Sequence, residues 1–328
     1  MRPFRYKRPT DADSAVALLA AAPEGMFLGG GTNLVDLMRL GVEAPATLID
    51  ISRLAEDLIE PSEDGGLRIG AGVRNSDLAA HPLVREHYPM LSSALLHGAS
   101  GQLRNLATAG GNLLQRTRCM YFQDVTKACN KRSPGSGCPA IEGEHHNHAI
   151  LGASEHCAAT HPSDMAVALA ALDATVQLVG PDAPRSISVL ELHRVPGEEP
   201  QRDTTLRPGE LIVSVELPPP WASRRSGYAK VRERASFAFA VVSVAAALDL
   251  EDGIVRDVRI ALGGVAHKPW RAYWAEQSLR GGAASEENFI RAAAAELEQA
   301  SPLRDNAYKV PLARNLIAGT LTDLLEMA

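Results

Sequence analysis

Cys119, Cys129, Cys138 and Cys157 are the four cysteines of this 328-residue chain. Ionised thiolates are the ligands that zinc and iron–sulfur cores take. The spacing, C-x9-C-x8-C-x18-C, lacks the tight C-x2-C knuckles of zinc ribbons and bacterial ferredoxins. A loose loop can still wrap a [4Fe–4S] cube, because that cube takes one cysteine per iron. Zinc, disulfide bonds and free thiols stay open as alternatives, although a cytosol-like composition favours a metal site over a disulfide framework.

His145, His146, His148, His156 and His161 lie in the same region. They lack a regular ligand spacing, so solvated or locally bonded imidazoles are expected. Arg116, Arg118, Lys127, Lys131 and Arg132 either decorate an exposed loop or offset the charge of an anionic cluster and raise its potential.

Two glycine-rich segments carry a second chemistry. Gly29-Gly30-Gly31-Thr32-Asn33 follows the apolar Met26-Phe27-Leu28, and its bare N–H groups could cradle a phosphate. Asp50 sits where a Rossmann acid would grip a ribose, but the third glycine of that fingerprint is replaced by Leu34 and no P-loop lysine is present. The second segment runs from Gly101 through Arg104-Asn105-Leu106-Ala107-Thr108-Ala109-Gly110-Gly111-Asn112 to Leu113. Two such loops could hold the two phosphates of one dinucleotide from opposite sides. Locally satisfied turns are the alternative.

The elements that must position these groups alternate. Thr10 and Asp13 resemble a capping box ahead of a helix at 15–22. Strands are expected at 26–28, 47–51, 67–72, 175–179 and 211–217. Pro218-Pro219-Pro220 breaks the pattern, since consecutive prolines cannot join a sheet interior. Strands at 239–250 and 255–262 and a helix at 285–300 follow, giving an α+β chain. Hydrophobic content of 45% and a net charge of −6 describe an ordinary globular protein without the basic face of a nucleic-acid binder. No apolar run is long enough for a membrane span or an export signal, so cytoplasmic assembly is expected.

Phe27-Leu28-Gly29-Gly30-Gly31-Thr32-Asn33-Leu34 and Gln102-Leu103-Arg104-Asn105-x-Ala107-Thr108-x-Gly110-Gly111-Asn112 resemble the flavin signatures of the FAD-binding (medium) subunits of molybdenum hydroxylases, the xanthine dehydrogenase family. Arg259-Ile260-Ala261-Leu262-Gly263-Gly264-Val265-Ala266-x-Lys268-Pro269-Trp270-Arg271 resembles their small C-terminal domain. The resemblance implies a two-subdomain FAD-binding fold of the vanillyl-alcohol-oxidase type over 1–220, with subdomains of about 1–55 and 56–220, and a small α+β domain over 221–328. An extra stretch at about 115–160, holding all four cysteines, separates Asn112 from Pro162-Ser163-Asp164. Such an insert resembles the iron–sulfur-bearing FAD subunits of three-chain bacterial molybdenum aldehyde oxidoreductases.

By that resemblance Gly29, Gly30, Gly31, Thr32, Asn33 and Leu34 hold the FAD pyrophosphate, with Leu28 and Ala99 among the contacts. Thr108, Gly111 and Asn112 meet it from the other subdomain. Asp164 accepts from FAD hydroxyls, Ile212 forms an apolar wall, and Lys230 stands near the isoalloxazine edge, favouring an anionic reduced flavin. No nucleophile–base pair or molybdopterin-like motif is recognised in the chain. Aldehyde oxidation is therefore expected in a large molybdopterin-binding partner, with a small [2Fe–2S] subunit feeding FAD and ferredoxin or oxygen as acceptor. A partner carrying a twin-arginine signal would deliver the complex to the periplasm. A self-contained FAD oxidoreductase and a zinc-stabilised interaction protein are the competing expectations.

Overall fold

The computed structural model describes residues 1–54, 57–221 and 225–327. Three sheets organise the described residues. The first is parallel, ordered β1 (Arg5–Lys7), β3 (Thr47–Asp50), β2 (Gly25–Leu28). Its β3 is buried along all four residues, as expected of the central strand of a covered parallel sheet. The helix Ala12–Ala20 packs on it, capped by Asp11, which exchanges bonds with Ser14. The expected cap at Thr10 is thus displaced by one residue, because Asp11 reaches the Ser14 N–H at 2.7 Å.

The second sheet is antiparallel, with β4 (Ile59–Pro61), β5 (Leu67–Gly70), β8 (Leu211–Leu217), β6 (Thr175–Val179) and β7 (Arg185–Ser188) in that spatial order. The alternating burial of β6 matches a sheet with one covered face. Helices Pro89–His97 and Asp164–Ala171 supply its largest core, and all eight residues of the latter are buried.

The third sheet runs β12 (Trp270–Arg271), β11 (Ile254–Gly263), β10 (Val242–Glu251), β9 (Ser226–Val231), all antiparallel. Helices Tyr273–Leu279, Glu286–Leu297 and Lys309–Glu326 cover it. Strand β10 begins at Val242 rather than at Phe239, leaving Phe237 and Phe239 exposed. Pro218–Pro220 connects the second and third sheets outside any strand, and the Tyr88 hydroxyl donates to the Pro218 carbonyl at 2.7 Å. Among the described residues no helix is long and apolar enough to cross a membrane.

The cysteine-bearing stretch is not an exposed loop. Its first part is tied to the first glycine loop: the Arg116 N–H donates to Asn33 Oδ1 at 2.9 Å, and Arg118 pairs with Asp36 at 3.3 Å. Its later part is sewn to the third sheet and its helices. Ile150 and Leu151 N–H both donate to the Val265 carbonyl, and the Ser301 N–H donates to the Ile150 carbonyl. The buried Lys309 ammonium donates to the His148 carbonyl at 2.9 Å and to the Gly264 carbonyl at 2.5 Å. The insert therefore fastens the N-terminal lobe to the C-terminal one.

Candidate functional site

Both glycine loops are positioned by backbone pairing. The first leaves β2 and enters the helix Leu34–Leu40, a strand–loop–helix arrangement that frees its N–H groups. The second is anchored to the segment after β5: Asn75 N–H donates to the Ala107 carbonyl, Ala109 N–H to the Val73 carbonyl and Gly110 N–H to the Ala71 carbonyl, each at 2.9 Å. The two loops touch. A Cβ built on Gly30 would lie 1.8 Å from the Leu106 carbonyl oxygen, and one on Gly29 would lie 3.2 Å from Thr108 Oγ1. Only glycine at position 30 lets the backbones approach this closely.

Two cavities share lining residues of these loops. One, of 290 Å³, is lined by Gly29 to Leu34, Thr108, Gly111, Arg116 and Ile212. The other, of 390 Å³, is lined by Asn75, Ala99, Asn112, Asp164 and Lys230. Thr32 and Gly111 line both. Every flavin-binding residue expected from the sequence except Leu28 borders one of them. Leu28 lies at the end of β2, with its carbonyl accepting from the Ile51 N–H, so its place is in the sheet rather than in the cleft.

The polar groups of the cleft are oriented for a ligand. Asn33 Oδ1 is held by Arg116, and its Nδ2 is buried without a partner. Asn75 Oδ1 is likewise buried and unpartnered. Buried orphan groups are costly unless a ligand satisfies them. The glycine cradle and the free Asn33 donor fit an anionic pyrophosphate. Asn112 Oδ1 accepts from Ser163 at 2.5 Å and from Gln115 at 2.9 Å. Ala99 adopts a left-handed backbone, φ 49°, which is strained for a residue with a Cβ. Arg104 holds that turn by donating to the Gly98 carbonyl at 2.6 Å and the Ala99 carbonyl at 3.2 Å.

Asp164 and Lys230 form a buried pair rather than two independent groups. Lys230 Nζ donates to Asp164 Oδ2 at 2.7 Å and to the His97 carbonyl at 3.1 Å, and the Tyr228 hydroxyl donates to Asp164 Oδ1 at 2.5 Å. The helix that begins at Asp164 is capped by Ser163, whose hydroxyl accepts from the Ala166 N–H. The Lys230 side chain is thus buried, and its charge is largely compensated. Burial and the adjacent Asp164 charge push the Tyr228 phenol well above its ordinary pKa.

The second glycine segment rests on a buried histidine pair. His193 Nε2 donates to the Leu113 carbonyl at 2.8 Å, and its ring lies 4.2 Å from that of His161. Burial lowers the pKa of His193 to about 4 and that of His161 well below its ordinary value. On acidification the unfolded chain takes up these protons first, so their contribution to stability is full above pH 6.5 and is lost toward pH 4. The urea midpoint is expected to fall across that window, and His193→Gln is expected to flatten the fall. An unchanged slope would assign the pH dependence elsewhere.

All four cysteines line one small cavity with Phe122, Lys131 and Ala159. No disulfide bond joins any two of them in this structure. The Cys138 sulfur receives bonds from Cys157 and from the backbone at Ala158, Ala140 and Ile141, which together lower its pKa to about 6. Burial raises Cys119 to about 11, against backbone bonds at Phe122 and Tyr121. His148 Nε2 lies 3.2 Å from Cys119 Sγ. Backbone donors aimed at sulfur suit thiolate ligands of a cluster. Lys131 is buried and Arg132 donates to the Tyr121 and Phe122 carbonyls, the latter at 2.6 Å. His145 and His148 are buried, His146 is exposed on the Tyr308 ring, and His156 pairs with Glu198 at 2.9 Å.

A family model described as the FAD binding domain in molybdopterin dehydrogenase matches residues 2–220. Another, described as the CO dehydrogenase flavoprotein C-terminal domain, matches residues 227–324. The chain is 51% identical over 329 residues to the aldehyde oxidoreductase FAD-binding subunit of Escherichia coli (strain K12), covering 100% of both. It is 27% identical to the glyceraldehyde dehydrogenase medium chain of Sulfolobus acidocaldarius, covering 85% of this chain and 81% of that one. Among solved structures, a carbon monoxide dehydrogenase from Hydrogenophaga pseudoflava aligns with TM-score 0.78 and 26% identity over 100% of both chains. The two glycine loops that meet at Gly30 thus occur in a chain whose whole length follows one architecture, and it belongs to the FAD-binding medium subunits of the molybdenum hydroxylase family.

Proposed function

We propose that this chain holds FAD across its two glycine loops and a [4Fe–4S] cluster on Cys119, Cys129, Cys138 and Cys157. In this reading it relays electrons within a three-chain molybdenum aldehyde oxidoreductase. A large molybdopterin-binding subunit would oxidise the aldehyde, a small [2Fe–2S] subunit would pass electrons here, and an external acceptor such as ferredoxin or oxygen would receive them. The observation that carries the reading is the backbone contact at Gly30 together with two cavities that share the walls Thr32 and Gly111, which gives one extended dinucleotide donors from both loops. The aldehyde oxidoreductase and glyceraldehyde dehydrogenase relatives support the substrate class. A match along the full length of a chain named as a subunit favours an electron-transfer component over a self-contained oxidoreductase.

Bound FAD supplies two-electron to one-electron conversion. The chain's own residues do the rest. The N–H groups of Gly29 to Asn33 and the Asn33 amide hold the phosphates. Ile212 walls the cleft, and the Asp164–Lys230 pair fixes the far end with little net charge.

For the insert, the donor set favours a cluster over zinc. A single zinc ion with Zn–S bonds of about 2.3 Å draws its sulfurs to within about 3.8 Å of one another. Among the described residues, Glu155, His156 and Glu198 form the one group of three or more such donors gathered within 4.8 Å, and the cysteines are not part of it. A cube spreads its four thiolates more widely. The purified complex is expected to contain about four iron and four sulfide per chain in addition to its [2Fe–2S] complement. Cys138→Ser is expected to remove that fraction while the flavin band persists. Zinc in place of iron would overturn the cluster reading, and absence of flavin would overturn the FAD reading.

A further inference from the structure

The flavin cleft and the cysteine cavity are linked by an ionic chain that begins in the lining of one and ends in the lining of the other. Arg116 lines the flavin cleft with Glu43, and its Nη1 lies 2.8 Å from Glu43 Oε1. Its Nε lies 2.5 Å from Asp203 Oδ2, an ionic contact rather than a well-angled hydrogen bond. The other oxygen of Asp203 accepts from Lys131, whose side chain is 1% exposed and lines the cysteine cavity. Lys131 Nζ also donates to the Pro200 carbonyl at 2.8 Å and to His267 Nε2 at 2.7 Å. The His267 Nδ1–H donates to the Ala159 carbonyl at 3.0 Å, which leaves Nε2 as the acceptor. The Arg116 guanidinium lies 4.9 Å over the ring of Phe122, itself a wall of the cysteine cavity.

We propose that Asp203, clamped between Arg116 of the flavin cleft and Lys131 of the cysteine cavity, is a positioning residue that sets the redox potentials of both cofactors. This rests on the FAD and cluster assignments above. Two cations share one half-buried carboxylate, and each faces a different cofactor site. A fixed charge in a desolvated site acts on a nearby redox centre over several ångströms, because solvent screens it little. Reduction adds negative charge, so a nearby cation raises a potential and a nearby anion lowers it. Asp203 holds both cations in place and partly offsets them. Burial alone would raise its carboxyl pKa, but the charges of Lys131 and Arg116 hold it well below the carboxylate range. Its contacts with two cations favour its ionised form.

The test uses the assembled complex, with the cluster titrated by EPR and the flavin by visible absorbance. Lys131→Met removes the cation on the cluster side alone. At a fixed potential near the midpoint, it is expected to lower the reduced-to-oxidised ratio of the cluster about tenfold, equal to about 59 mV for a one-electron couple. The flavin midpoint should stay within the error of the titration. Asp203→Asn removes the offset for both cations, and it is expected to raise both midpoints together. Lys131→Arg keeps the charge and should restore the wild-type cluster potential. Wild-type potentials in Lys131→Met and Asp203→Asn, with iron and flavin retained, would overturn the proposal. So would loss of the cluster in all three variants, which would make the chain of contacts a structural staple only. Iron and sulfide analysis of the wild-type complex separates these outcomes from failure of the cluster assignment, because a wild-type complex without the additional cluster overturns both readings.

Discussion

Gly30→Ala is expected to lower FAD affinity by more than about 100-fold, an effect of about 3 kcal/mol or more. The added methyl would sit 1.8 Å from the Leu106 carbonyl oxygen and 2.6 Å from the Leu106 carbonyl carbon, both backbone atoms. That carbonyl cannot swing aside freely, because the Ala107 carbonyl next to it accepts from the Asn75 N–H and Arg74 donates to Leu106 itself at 2.5 Å. The loops must separate, and the shared walls at Thr32 and Gly111 separate with them. Gly41 is the control. It lies outside the cleft with nothing within 4 Å of a built Cβ, and its φ of 76° makes alanine there a local strain of about 1 kcal/mol. The ratio of flavin to protein absorbance in the purified complex reads the difference: Gly30→Ala should lose flavin, and Gly41→Ala should keep it. Full flavin occupancy in Gly30→Ala would show that the ligand does not depend on the contact between the loops.

Asp164→Ala is expected to cost about 3–5 kcal/mol of stability, the penalty for breaking a buried ion pair from one side. The Lys230 side chain is 1% exposed and that of Asp164 8%. Without the carboxylate, the ammonium keeps only the His97 carbonyl at 3.1 Å, and the Tyr228 hydroxyl loses its acceptor. Lys230→Met alone strands the carboxylate against Tyr228 and should cost a comparable amount. The double variant removes both charges and should recover much of the loss, since an apolar pair of similar volume can replace a buried ion pair. Urea unfolding of the four proteins closes the cycle. Strictly additive losses would mean that the pair is not coupled as the geometry requires.

What the sequence makes legible follows from locality. The glycine loops are contiguous strings, so their residue types expose both the backbone freedom and the strand before the first of them. Strands β6 and β8 fall at the residues their apolar patterning marks, 175–179 and 211–217. The cysteine cluster is visible because no other cysteine competes with it. Pairings between distant residues are invisible to such reading. Lys230 lies 66 residues from Asp164 and Lys131 lies 72 from Asp203, and no local pattern ties either lysine to its acid. Both lysines therefore pass for surface residues until the helix Asp164–Ala171 and the loop around Asp203 are brought against them. Short edge strands such as β1 and β4 also escape, since three residues carry too little alternation to register. The start of β10 is misplaced because Phe239 and Val241 look strand-forming, whereas Phe239 is exposed at the rim of the cleft. Asn75 is legible only as an ordinary polar residue and Arg116 only as a cation of the insert, and their places in the cleft depend on the second glycine loop and the insert folding onto the first.

The central claim is that one chain places FAD on its glycine loops and a four-iron cluster on its insert. An experimental structure of the assembled complex, with anomalous diffraction collected at the iron edge, tests it most directly. The account predicts a compact four-iron peak bounded by Cys119, Cys129, Cys138 and Cys157, and flavin density running from the Gly29–Asn33 backbone past Gly111 to the Asp164–Lys230 pair. An insert holding a single zinc ion or disulfide bonds, or a flavin seated away from the two loops, would contradict it.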